Sequence, residues 1–92
     1  AAIAGLTRCV AREVGPNGIT VNTLTPGYVL TEASMTMKNK PPGAEEMVAQ
    51  MTALGRNESK DDVVGTAVFL ASDDANFITG QNIVVDGGWV LN

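Results

Sequence analysis

Residues 21–31, VNTLTPGYVLT, decide the fold. With Ile19 and Thr20 ahead of them, the run ITVNTLT (19–25) is rich in β-branched residues and reads as a strand. Pro26-Gly27 then stops the run, and Tyr28-Val29-Leu30-Thr31 follows. Ligands of open α/β sheets sit beyond the carboxyl ends of the strands, which is where this Pro-Gly falls. Pro26 has no N–H and is expected to end sheet pairing there, while Gly27 lets the backbone turn and a ligand approach closely. The peptide groups of Tyr28 to Leu30 are then free to face an amide or phosphate, and Thr31 has a hydroxyl to donate. The same residues also read as an ordinary turn, with Thr31 capping the next helical segment. The stretch alone does not choose between the two.

Working outward, AAIAGLTRCVAREVGPNG precedes the strand and carries Ile3, Leu6, Val10 and Val14 at helical spacing. Gly15 suits the left-handed position after a helix, and Pro16 cannot continue one. The pattern is already helical at Ala1 with no capping residue, so the sequence is expected to start inside a helix. Downstream, residues 26–43 read as irregular, bounded by Pro26-Gly27 and Pro41-Pro42-Gly43. AEEMVAQMTAL (44–54) predicts a second helix with Met47, Met51 and Leu54 on one face and Glu45 and Glu46 in its first turn. A third helix is expected from Ser59, where Ser-Lys-Asp-Asp has capping-box spacing, through Leu70. NIVV (82–85), apolar on both faces and followed by Asp86-Gly87-Gly88, predicts a buried parallel strand. Two strands joined through helices make a βαβ unit, and a pair of strands alone is marginal, so one edge is expected to take a further strand.

Composition narrows the function. The 92 residues carry 10 acidic against 6 basic side chains, a net charge of −4, with no basic cluster. Neither nucleic acid nor an anionic membrane is an expected partner. No apolar run approaches the roughly 18 residues of a membrane span. One cysteine and no histidine leave no metal site and no nucleophile–histidine pair to expect. The lone Cys9 reads as an inert core or interface thiol. No signal peptide opens the sequence, and a soluble protein of a reducing, cytoplasmic compartment is expected.

Taken together, GPNGITVN, PG with Thr four residues on, and FLASDDANFITGQNIVVDGG resemble the C-terminal third of the short-chain dehydrogenase/reductase family. The resemblance spans nearly all of the chain except about residues 32–54. It implies that residues 1–92 are part of a doubly wound Rossmann-like α/β domain: helix, strand, substrate-lid helices, helix, strand. It implies NAD or NADP as cofactor, an alcohol or ketone as substrate, and a homo-oligomer. Carried over by motif, Pro26-Gly27 shapes the wall of a nicotinamide pocket, the Val29 backbone holds the carboxamide, and Thr31 contacts the nicotinamide–pyrophosphate end. The family's Tyr-x-x-x-Lys pair and glycine-rich loop do not occur in these residues, so no catalytic residue is expected here and the chain alone is expected to be inactive. Tyr28, the only tyrosine, belongs to the pocket wall. Where the family usually reads Arg-x-Gly-x-Pro, this chain has Arg56-Asn57-Glu58-Ser59-Lys60, which leaves the turn into the third helix open. A rival reading of another class is a non-catalytic α/β module that self-associates through its open sheet edge.

Overall fold

The computed structural model describes residues 2–30 and 42–89. Thr31 and most of the first half of the expected lid lie outside the described residues. Helix α1 (Ala2–Val14) runs into a 3-10 turn at Gly15–Asn17. Strand β1 (Thr23–Pro26) pairs in parallel with β4 (Asn82–Val85), Thr23 standing opposite Asn82 and Pro26 opposite Val85. Between them come β2 (Val29–Leu30), helix α2 (Ala44–Gln50), β3 (Glu58–Ser59) and helix α3 (Lys60–Leu70). A second 3-10 turn, Asp73–Ala75, follows α3 and precedes β4.

The helix-to-strand turn corrects one expectation. Gly15 and Pro16 sit inside the 3-10 turn, and the left-handed residue is Gly18, at φ 76°, whose N–H returns to Gly15 O at 2.9 Å. Residues 19–22 lead into β1, but ladder pairing starts only at Thr23. The reason lies in what faces them: Val21 donates to Thr79 Oγ1 (3.0 Å), Val21 O accepts from Gly80 N (2.7 Å), and the Asn22 amide spans the same loop. Asn22 Nδ2 donates to Ile78 O at 3.0 Å, and its Oδ1 accepts from Gln81 N at 3.1 Å.

The far end of β1 corrects another. Pro26 does not end the pairing, because Thr23 N–H donates to Gln81 O (2.9 Å) and Gly27 N–H to Val85 O (3.1 Å). A parallel strand turns alternate N–H groups to each neighbour, so Pro26 lacks a donor only on the side away from β4. The expected irregular stretch also contains order: Val29 and Leu30 pair with Glu58 and Ser59. That pairing spans a long connection and leaves no local signal.

Helix α1 meets the sheet by a face other than its apolar stripe. Thr7 and Ala11 are the buried residues, whereas Ile3 and Leu6 are 67 % and 64 % exposed. Small side chains permit the close approach. The Thr7 hydroxyl donates to Ile3 O at 2.8 Å and shares a short hydrogen bond with the Thr23 hydroxyl. Cys9 is likewise exposed among the described residues and not in the core. The apolar stripe is uncovered here, as are Val64 and Val68 on α3 and Phe77 in the loop before β4.

Helix α2 stops at Gln50, four residues before the expected Leu54. The Thr52 hydroxyl donates to Ala49 O (2.9 Å), and Gly55, at φ 72°, returns its N–H to Thr52. These bonds close the chain into a turn where the helix would have continued. Helix α3 begins as expected. Ser59 is its N-cap in a capping box, and Asp62 Oδ2 accepts the Ser59 N–H at 2.8 Å. The turn left open by the sequence is held by Arg56, whose guanidinium grips Asp62 through two bonds of 2.9 Å.

This arrangement has a pH signature. The Arg56 hydrogen bond first, and the Ser59 backbone N–H second, hold the Asp62 carboxyl well below the usual carboxylate range. A carboxyl depressed in the folded state contributes stability above its ordinary pKa of about 4, and loses it as pH falls below that value. D62N is expected to flatten the acid side of a melting-temperature profile below about pH 4. Added salt is expected to shrink the difference between the two proteins, because the pair is exposed. Parallel acid limbs for parent and variant would contradict it.

Candidate functional site

At the carboxyl ends of β1 and β4 lies a cleft of about 380 Å³ lined by Thr25, Pro26, Gly27, Tyr28, Val84, Asp86 and Trp89. Its far rim is built by the turn after β4. Asp86 Oδ1 accepts the Gly88 N–H at 2.9 Å, and Trp89 N–H returns to Asp86 O at 3.2 Å. Gly87 and Gly88 have φ of 63° and 85°, conformations that side chains disfavour, so the glycine pair is what lets the chain fold back and present Trp89. The indole and the Tyr28 ring stand 6.4 Å apart, tilted by 42°. Aromatic pairs at this separation attract each other and form a flat-sided apolar mouth.

Gly27 is the narrowest point. A Cβ placed there would lie 2.9 Å from Glu58 Oε1, 3.0 Å from Asp86 Cβ and 3.2 Å from Asp86 Cα. Its N–H is shared between Val85 O and Glu58 Oε1, the latter at 3.0 Å. Behind this point a smaller cavity of about 130 Å³ is bounded by Leu54, Arg56, Glu58, Asp62, Val85, Asp86 and Gly87. The turn over it is fastened by Leu54 N–H donating to Gly87 O at 3.1 Å.

Of the residues singled out from sequence, Pro26 and Gly27 line the cleft together with Tyr28. Val29 follows directly in β2, half-buried and paired with Glu58. Thr31 lies outside the described residues. Sequence reading missed Trp89, Asp86 and Glu58. The one available signal was at Glu58, which stands where the Arg-x-Gly-x-Pro pattern would have glycine. No group of three or more metal-ligating acidic, cysteine or histidine side chains occurs among the described residues. No described helix is long and apolar enough to cross a membrane.

A family model described as enoyl-(acyl carrier protein) reductase matches residues 1–90. The chain belongs to the short-chain dehydrogenase/reductase family. It is 39 % identical over 89 residues to a 2-dehydro-3-deoxy-D-gluconate 5-dehydrogenase of Bacillus subtilis, with 97 % of this chain and 35 % of that protein covered. Among solved structures, it is similar to a short-chain dehydrogenase/reductase from Serratia marcescens, with TM-score 0.84, 36 % identity, 98 % of this chain and 35 % of that one covered. It is also similar to a 4-hydroxyisoleucine dehydrogenase complexed with NADH, with TM-score 0.76, 38 % identity, 97 % of this chain and 35 % of that one covered. This short-chain dehydrogenase/reductase chain thus spans about 35 % of the length of such relatives. Its Rossmann-like α/β fold with parallel strands agrees with theirs.

Proposed function

We propose that the chain is the C-terminal segment of an NAD(P)-dependent oxidoreductase that moves a hydride between a nicotinamide and an alcohol or ketone. The observation that carries the reading is the gathering of Pro26, Gly27, Tyr28 and Trp89 around one cleft at the carboxyl ends of two parallel strands. The cleft fits a nicotinamide ring. Pro26 and the bare Cα of Gly27 offer a wall without protruding side chains, and the two aromatic rings supply flat apolar surface.

When bound, the cofactor supplies or accepts the hydride. The chain's own residues hold and orient it. The Val29 backbone takes the carboxamide, Thr31 contacts the nicotinamide–pyrophosphate end, and Pro26-Gly27 fixes the face the ring lies against. Tyr28 and Trp89 shield that face from water. Proton transfer is assigned to a Tyr-Lys pair elsewhere in the protein, since a Tyr-x-x-x-Lys pattern does not occur in these 92 residues. The reading includes a cytoplasmic homo-oligomer.

The test is NADH and NADPH oxidation by the full-length protein with a panel of ketones. Turnover well above a no-protein control is expected, and none from the 92-residue chain alone. A full-length protein that neither binds nor oxidises either nucleotide overturns the reading; turnover by the isolated chain overturns the assignment of proton transfer.

A second reading, a self-associating module without catalysis, draws on the uncovered Ile3, Leu6 and Phe77. Size-exclusion chromatography with and without nucleotide separates the two. An oligomer indifferent to nucleotide favours the module.

A further inference from the structure

Glu58 is held by more than its place in a strand. It opens β3, is only 8 % exposed, and gives Oε1 to the Gly27 N–H at 3.0 Å. Its other oxygen, Oε2, is buried with no hydrogen-bond partner among the described residues. A carboxylate removed from water with one oxygen unmatched is costly unless something completes it. Glu58 also lines the cavity of about 130 Å³. Other polar groups on that wall are occupied: Asp62 by Arg56 and Ser59, and Asp86 Oδ1 by the Gly88 N–H. Leu54 and Val85 supply apolar surface.

We propose that Glu58 is a positioning residue for the cleft wall: Oε1 fixes the Gly27 peptide from behind. The inference rests on the nicotinamide reading of the cleft. The ladder alone holds Gly27 weakly, because pairing with β4 ends there and its N–H is divided between two acceptors. The Glu58 carboxylate also occupies the space into which the Gly27 Cα would otherwise move, as the 2.9 Å approach of Oε1 to a Cβ position indicates.

The experiment uses the full-length protein with Glu58→Gln and Glu58→Ala. NADH and NADPH dissociation constants, KM and kcat, and the exchange rate of the Gly27 amide are measured for each. Glu58→Gln keeps an acceptor oxygen and is expected to stay within about twofold of the parent throughout. Glu58→Ala is expected to weaken nucleotide binding about tenfold, to raise the nucleotide KM in step, and to speed Gly27 exchange by a similar factor. A role in folding alone would lower the melting temperature of Glu58→Ala and leave the affinity of the folded protein unchanged, which overturns the proposal. Unchanged Gly27 exchange in Glu58→Ala overturns it equally. If the parent binds neither nucleotide, the nicotinamide reading fails, and Gly27 exchange by itself decides whether Glu58 holds the peptide.

Discussion

Gly27→Ala is expected to destabilise the protein by about 2–3 kcal/mol and to reduce nucleotide affinity at least tenfold. The conflict is steric and three-sided. A methyl at Gly27 would meet Glu58 Oε1 at 2.9 Å, Asp86 Cβ at 3.0 Å and Asp86 Cα at 3.2 Å. The carboxylate end of Glu58 can swing, but doing so breaks its bond to the Gly27 N–H. Asp86 cannot withdraw cheaply, because it is anchored between the Val85 pairing and the turn that its own oxygens close. Relief must therefore come from the backbone of the cleft wall. Gly65→Ala provides the contrast. That glycine lies within α3, and a methyl there meets nothing within 4 Å among the described residues. An alanine in a helix interior is favoured over glycine by about 0.5–1 kcal/mol. Thermal unfolding of both variants, with nucleotide titration of Gly27→Ala, is the measurement. Equal stability of the Gly27→Ala protein and its parent would remove the close approach as a constraint.

Asn22→Asp is expected to cost about 2–3 kcal/mol at neutral pH, although it changes the side chain by a single group. Asn22 is a bridge with a defined polarity: its amide nitrogen donates to Ile78 O, and its amide oxygen accepts from Gln81 N. A carboxylate keeps the second bond but turns an oxygen toward the Ile78 carbonyl, so a donor is replaced by a repelling acceptor. Protonating that carboxyl restores a donor. The folded-state pKa of the new group is therefore raised above the ordinary value of about 4, and its favourable contribution is present below that pH and lost as pH rises through the folded value. The deficit should be largest at neutral pH, shrink as pH falls through the raised folded value, and level off below about pH 4. Asn22→Ala, which leaves both backbone groups without their partner, should show a deficit of similar size with no such recovery in acid. A deficit in Asn22→Asp that does not change with pH would contradict the bridge.

What could be read from the sequence divides by the range of the interaction. The capping box at Ser59 was legible because its partner, Asp62, is three residues away and the chemistry is local. The strand pair was legible because β-branched residues ahead of Pro26 and the apolar run Ile83–Val85 each carry their own signal, but the expected burial of both faces of β4 is not met, Asn82 and Val84 being exposed among the described residues. The buried face of α1 was not. Periodicity identifies an apolar stripe, but the approach to β1 is made by Thr7 and Ala11, whose small size matters only against Thr23 and Gly80. The cleft was half legible. Pro26-Gly27 announced a wall, whereas Glu58 and Trp89 reach it from 31 and more residues away. A pairing of only two residues, Val29–Leu30 with Glu58–Ser59, brings the first of them in, and two-residue pairings have no periodic signature.

The proline at the end of β1 has a consequence for the shape of any larger sheet. Leu24 still offers an N–H to a strand laid along the free edge, but Pro26 offers none. On that side the last donor is Leu24, three residues before Gly27, the last donor toward β4, a step of about 10 Å at 3.3 Å per residue. The sheet thus acquires a notch on one flank of Gly27 while remaining continuous on the other. A single imino acid carves an opening whose position is set by counting alternate residues, and no side chain has to be kept out of it.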